Sequence, residues 1–208
     1  ASIAQAQLAA LTTELIFPMV EGAAGSLVEQ VDLLDFPGYR GRLAISKLEE
    51  AASAGGSPIS QLLLRGKVAY LFERYTDNQE MNALVVCASA AKQSDVTSVG
   101  PVLTRWVEKT QGKCASERQS RKPGLFWALT MFDIRINSGL NLTSAQLKEG
   151  WDGLMQQTLL ERFGQYEWIQ EWAPGRPFNN CFLVRKPGMP VPFLSIDGGR
   201  EVAVAPQY

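Results

Sequence analysis

The sequence predicts an α/β fold, a mainly parallel sheet flanked by helices. Three observations carry that prediction. Apolar runs at residues 27–35, 82–88, 125–130 and 181–184 have the length and Val/Leu/Phe-rich composition of buried strands. Helical patterns of ten or more residues lie between most of them, notably around residues 58–75, 99–110 and 144–163. Strands alternating with helices of that length imply crossover connections, and these make neighbouring strands parallel with helices packed on their faces.

Taken in order, Leu8, Leu11 and Leu15 share one face of a predicted helix over 5–17, stopped by Pro18. Residues 21–26 form a Gly/Ala loop, and residues 27–35 the first predicted strand. After Gly38 a short helix carries Leu43, Leu48, Ala51 and Ala52. Pro58 opens a longer helix whose Leu64, Val68, Leu71, Phe72 and Tyr75 have helical spacing. The run from Asn82 to Ala88 reads as a strand buried on both faces. Val99, Val102, Leu103, Trp106 and Val107 mark an amphipathic helix. Residues 112–124 are polar and basic, a predicted surface loop. The strand 125–130 ends near Asp133, and residues 137–141 read as loop. Thr143-Ser144-Ala145-Gln146 is a capping box opening a helix with Leu147, Trp151, Leu154, Met155 and Phe163. The expected organisation is an N-terminal helix and loop (1–26), an α/β domain (27–186), and a Pro/Gly-rich C-terminal extension that wraps the surface (187–208).

Composition excludes several chemistries. Among 208 residues there is no histidine. Ser-His-Asp and Cys-His catalysis and histidine metal sites are therefore impossible within the chain. Cys87, Cys114 and Cys181 lack metal-ligand or redox spacing. Cys87 and Cys181, inside apolar runs, are expected to be buried free thiols, which suits a cytoplasmic protein. A net charge of -1 provides no global field for nucleic acid. No apolar run reaches the roughly 18 residues of a transmembrane helix, and no signal peptide is expected.

Ligands of open α/β sheets bind at the carboxyl ends of the strands. The first predicted strand ends in Asp35-Phe36-Pro37-Gly38. A carboxylate there can hold magnesium directly or through water, and a nearby glycine lets a backbone N–H approach a phosphate. The later strand ends in Thr130-Met131-Phe132-Asp133. An aspartate at that place can accept hydrogen bonds from two N–H groups of a purine edge. The plainer alternatives are an ordinary turn at 35–38 and a surface residue at Asp133. The two motifs occur in order, with helices, a strand and another helix between them.

In these segments the chain resembles the dynamin-like branch of P-loop GTPases, with Met131 where their base-reading motif has lysine. More closely, it resembles a bacterial virulence-factor family (SrfC-like). Asp32-Leu33-Leu34-Asp35-Phe36-Pro37-Gly38 with Arg40 and Arg42, and Trp172-Ala173-Pro174-Gly175-Arg176-Pro177-Phe178, carry that likeness. The resemblance implies a slice of a large bacterial protein with a GTPase-like domain. It implies GTP and Mg in the full-length protein, with Asp35, Gly38, Thr130 and Asp133 at the nucleotide and Asp35 at the metal. Expected partners are other segments of the same protein and other virulence-associated proteins, with delivery to a host conceivable for such a family.

No Gly-Lys-Ser/Thr occurs in the chain. Gly66-Lys67-Val68 and Gly112-Lys113-Cys114 both fail at the last position and lie downstream of Asp35. The expectation is therefore a P-loop GTPase-like domain incomplete on its N-terminal side, and inactive as the isolated chain. The alternative is a non-catalytic interaction module that keeps the fold, using the basic stretch 113–122 and the Trp168/Trp172 region. Trp168 and Trp172 lie one helical turn apart, and core packing is the preferred reading of that pair.

Overall fold

The computed structural model describes residues 8, 12–17, 31–36, 58–90 and 99–206. The chain divides into two compact units, Ala1–Asn78 and Gln79–Tyr208.

In the first unit, helix α1 (Pro58–Asp77) starts on a proline, whose missing N–H costs nothing in a first turn. Val68, Phe72 and Thr76 are buried and follow one another at four-residue spacing along one face. The Thr76 hydroxyl donates to the Phe72 carbonyl (2.8 Å), so its burial leaves no polar hydrogen unpaired. Phe36 sets its ring edge-on to Phe72 and Tyr75, with centroids 5.3 and 5.9 Å apart. The Lys67 ammonium donates to the Thr12 carbonyl.

Two expectations fail in this unit. Residues 12–17 are not helical, and Leu15, Ile16 and Phe17 are exposed. Leu8 is helical, and the Thr12 N–H and hydroxyl both donate to its carbonyl (2.9 and 2.7 Å), so the helix is present there but stops before residue 12, and Pro18 disfavours helix at Phe17. The predicted strand 27–35 is likewise not formed over its described part. Among the described residues, residues 31–36 have no ladder partner, and Leu33 is 88% exposed. A strand is made by its neighbours, and Asp32 interrupts this apolar run. Residues 27–30 and 37–57, with Gly38 and the helix expected after it, lie outside the described residues.

The second unit holds a three-stranded parallel sheet in the order β1 (Leu84–Ser89), β2 (Leu125–Thr130), β3 (Cys181–Leu183). Leu84 pairs with Leu125 and Trp127 with Cys181, so Leu84, Val86, Ala88, Leu125, Trp127 and Leu129 share a face. Leu125, Trp127 and Leu129 are fully buried. Both connections step across the sheet in one direction, and right-handed crossovers then place both sets of helices on this same face. They are α2 (Gly100–Trp106), continued by a π-helical turn Val107–Gln111, and α5 (Ser144–Met155), continued by a second π turn and a last turn Glu161–Phe163. Phe163 meets Trp127 edge-on at 5.2 Å. The capping box that opens α5 is formed as expected by Thr143 and Gln146. Its Leu147 and Trp151, however, remain partly exposed rather than buried in one stripe.

The opposite face carries Val85, Cys87, Phe126 and Phe182. Val85, Cys87 and Phe182 are exposed, so the expectation of a β1 buried on both faces, with Cys87 inside, is overturned. One-sided crossovers are the physical reason.

Two stretches expected as loop are structured. Residues 112–124 contain the short helix α3 (Ala115–Gln119), and α4 (Phe132–Gly139) takes in part of the expected loop 137–141. The C-terminal stretch folds into a hairpin, β4 (Leu194–Asp197) and β5 (Arg200–Val204). Its turn residues Gly198 and Gly199 have φ of +55° and +77°, the pair of left-handed conformations of a type I′ turn. Glu201 on β5 is held below its ordinary carboxylate value, first by its hydrogen bond from Arg185 and then by the Gly188 N–H.

Candidate functional site

The carboxyl end of β2 turns sharply into α4. Thr130 closes the strand, with its hydroxyl donating to the Ala88 carbonyl (3.2 Å) and its own carbonyl accepting the Ala90 N–H (2.9 Å). Met131 then adopts φ 58°, ψ 33°, a left-handed conformation that costs an L-residue about 1–2 kcal/mol. The strained turn leaves the Met131 side chain half exposed at the strand end, with its sulfur 3.7 Å from the Ser89 hydroxyl. The Phe132 N–H donates to the Val184 carbonyl (3.1 Å), tying the turn to the segment just after β3.

Asp133 occupies the first turn of α4, where unpaired helix N–H groups favour negative charge. It is only 5% exposed, and among the described residues no hydrogen bond reaches its carboxylate. A surface position for Asp133 is thereby overturned. Its carboxylate oxygens are nevertheless not among the side-chain atoms sealed from solvent without a partner, so they stay open to water or to N–H and O–H donors of a ligand.

Thr130 and Asp133 thus lie together on one strand-to-helix turn. Asp35 belongs to the first unit, where it is exposed on the stretch 31–36, which has no regular secondary structure. Gly38 lies outside the described residues. Among the described residues no group of three or more Cys, Asp or Glu side chains is placed to hold a metal ion.

A second polar centre was not legible as such. Arg118, expected on a basic surface loop, is 2% exposed. Its Nε donates to the Trp172 carbonyl (3.0 Å), Nη1 to the Gly112 carbonyl (3.2 Å), and Nη2 to the Glu171 carbonyl (2.8 Å) and the Glu167 carboxylate (2.6 Å). The guanidinium also lies over the Trp172 ring, 5.7 Å from its centroid. Gly112, at φ 129°, turns its carbonyl to this arginine, and a side chain there would meet Glu117. Trp168, Trp172 and Phe178 are buried around the same segment, as core packing of the tryptophan pair requires. Ala173-Pro174-Gly175-Arg176 closes as a tight turn, with paired hydrogen bonds between Ala173 and Arg176 and Gly175 at φ 68°. Nothing in the run Cys114–Lys122 distinguishes one buried arginine from its exposed basic neighbours.

The thiols differ sharply. Cys181 is half-buried rather than fully buried, and desolvation pushes its pKa up to about 11, while Cys87 and Cys114 are exposed. The thiolate is the reactive form. Iodoacetamide at neutral pH is expected to alkylate Cys87 and Cys114 readily and Cys181 only slowly, read by peptide mass spectrometry. Equal rates at all three would contradict these placements.

The fold and site define an α/β protein whose parallel sheet opens, at its carboxyl end, onto a strained turn followed by a largely buried aspartate. A family model described as "Putative bacterial virulence factor" matches residues 1–208. The chain belongs to that family of bacterial virulence factors. No curated protein and no solved structure matches it. Among the described residues no helix is long and apolar enough to cross a membrane.

Proposed function

We propose that this chain is part of a GTPase-like nucleotide-binding domain of a bacterial virulence-associated protein, with the β2–α4 turn as its base-reading edge. The observation that supports the reading is Asp133, a largely buried residue just after the central strand whose carboxylate accepts no hydrogen bond among the described residues and is not sealed from solvent. The two N–H groups on one edge of guanine can meet that carboxylate, which has lone pairs for both. Thr130 fixes the strand end, and the Met131 thioether is presented where it can cover a base plane without adding charge.

The phosphate side of the reading falls on Asp35 and Gly38. A lone exposed carboxylate is a sufficient protein ligand for magnesium, which takes its remaining oxygens from phosphate and water. Magnesium, when bound, neutralises charge on phosphate oxygens. A glycine at position 38 can offer a backbone N–H to a phosphate at close approach.

The chain lacks the lysine and glycine-rich nest that supply most of the charge stabilisation in phosphoryl transfer. Calorimetry on the 208-residue chain is therefore expected to show no tight, magnesium-dependent GTP binding. In the full-length protein GTP turnover is expected, and Asp35→Ala is expected to lower it by a factor of about 100 or more, in line with the loss of one charge-stabilising group. Unchanged turnover in that variant would remove Asp35 from the metal site.

The alternative, an interaction module with a GTPase-like core and no chemistry, is favoured by one observation: Val85 and Phe182 stand exposed on the second face of the sheet. Full-length protein that binds no nucleotide would decide for it.

A further inference from the structure

β1 is an edge strand of the parallel sheet, and its outer edge is unguarded. The Leu84 N–H donates to the Gly124 carbonyl (2.8 Å) and the Ala90 N–H to the Thr130 carbonyl (2.9 Å), so the even-numbered residues turn their backbone groups to β2. Val85 and Cys87 therefore turn their N–H and C=O groups away from the sheet. Among the described residues those groups have no ladder partner. Edge strands are ordinarily kept single by charge, proline, a bulge or short length. β1 has none of these: it is Leu-Val-Val-Cys-Ala-Ser, paired to β2 in unbroken register. At the other edge β3 is only three residues long, so its length guards it.

The same strand borders the bare face of the sheet. Val85 is 56% exposed, and Cys87 is exposed beside it. No strand of this sheet carries a charged residue, so the face offers a partner only apolar contact. Parallel sheets are normally covered on both faces, because helices supply their crossovers. An open edge and a bare face meet along β1, and one occupant has to fill both.

Geometry and charge separate the candidates. A second copy pairing β1 to β1 across a two-fold axis would fill the edge and leave two bare faces side by side. A copy stacked face on face would cover the faces and leave both edges open. An extended peptide would fill the edge alone. A parallel strand leading into a helix does both. Beyond β1 the winding runs the other way, and a right-handed crossover then sets the helix on the bare face. The seam continues the hydrogen-bonded ladder of β1 and β2 and carries no charge. An uncharged seam of that kind resembles a core cut in two, the mark of a permanent assembly and not of an exchanging partner.

We propose that the outer edge of β1 is the seam at which a strand–helix unit, from a part of the same protein beyond these 208 residues, completes the sheet. Its strand pairs with Val85 and Cys87, and the apolar side of its helix lies on their side chains. The proposal does not rest on nucleotide binding.

The test compares the 208-residue chain with full-length protein. Iodoacetamide labelling of Cys87 reports on the face, and amide hydrogen exchange of β1 on the edge. In the 208-residue chain Cys87 is expected to label readily, at a rate independent of protein concentration. The Val85 and Cys87 amides are expected to exchange ahead of those of Val86 and Ala88. In full-length protein Cys87 labelling is expected to slow by about tenfold or more and the two amides by about 100-fold or more, with Cys114 as the exposed control. Val85→Asp changes an exposed side chain, so the 208-residue chain is expected to stay folded, while Cys87 labelling in full-length protein is restored. The comparison of the two lengths needs no variant. Cys87 labelled alike in both would overturn the proposal. So would protection of the thiol without the two amides, which leaves the edge unpaired. Protection that grows with the concentration of the 208-residue chain would assign the edge to a second copy and overturn it as well.

Discussion

Arg118→Ala is expected to lower the unfolding free energy of the chain by about 3–5 kcal/mol, measured by denaturant unfolding, because it breaks a buried charged network. The magnitude follows from what the guanidinium holds. Three backbone carbonyls, of Gly112, Glu171 and Trp172, would lose their donor in a water-poor setting, and Trp172 would lose the group packed over its ring. The ion pair itself is the smaller part. Glu167 is 54% exposed, so solvent screens its share, and Glu167→Gln is expected to cost no more than about 1 kcal/mol. Arg118→Lys cannot reproduce the fork of donors and is expected to fall nearer to alanine than to wild type. Equal losses in Arg118→Ala and Glu167→Gln would show that the salt bridge, and not the backbone carbonyls, carries the interaction.

Trp127→Ala is the other substitution expected to cost about 3–5 kcal/mol, as truncation of a buried aromatic usually does. Trp127 sits at the centre of β2, between Val86 and Cys181, with the Phe163 ring edge-on to it. Its removal would open a cavity against the helices that cover the sheet. The indole N–H, however, is buried without an acceptor. Trp127→Phe gives up some packing but removes that orphan donor, and a net change within about 1 kcal/mol is expected. A loss in Trp127→Phe close to that of Trp127→Ala would mean that the indole N–H does have a partner.

What the sequence made legible, and what it hid, follows one pattern. Strands β1, β2 and β3 and helices α1, α2 and α5 are marked by apolar runs and helical spacing, and each forms close to its expected bounds. The capping box at Thr143 and Gln146 is local chemistry and forms as read. Apolar content alone predicts the strand over 27–35, and residues 31–36 show that such a run forms no strand without a ladder and leaves residues 31–35 exposed. The β4–β5 hairpin was readable from Asp197-Gly198-Gly199 between apolar residues, but Pro and Gly elsewhere in the tail drew the reading toward loop. Burial of Cys87 and exposure of Arg118 were inferred from their immediate neighbours. Both depend instead on which sheet face the crossovers cover and on where the Glu167–Phe178 segment returns. At the candidate site the sequence supplied Thr130 and Asp133. The left-handed turn at Met131 and the burial of Asp133 in the first turn of α4 required the structure, because methionine carries no signal for positive φ.

The most direct measurement is nucleotide choice by full-length protein carrying Asp133→Asn, assayed by competition between GTP and XTP. Asparagine offers one donor and one acceptor where aspartate offers only acceptors, and this suits the xanthine edge, in which a carbonyl replaces the guanine amino group. The account predicts that GTP affinity falls by about 100-fold, as when a site's buried polar group is left mispaired, while XTP affinity rises. GTP and XTP bound alike by wild type and variant, or GTP binding unaltered by the substitution, would contradict the assignment of Asp133 to the base.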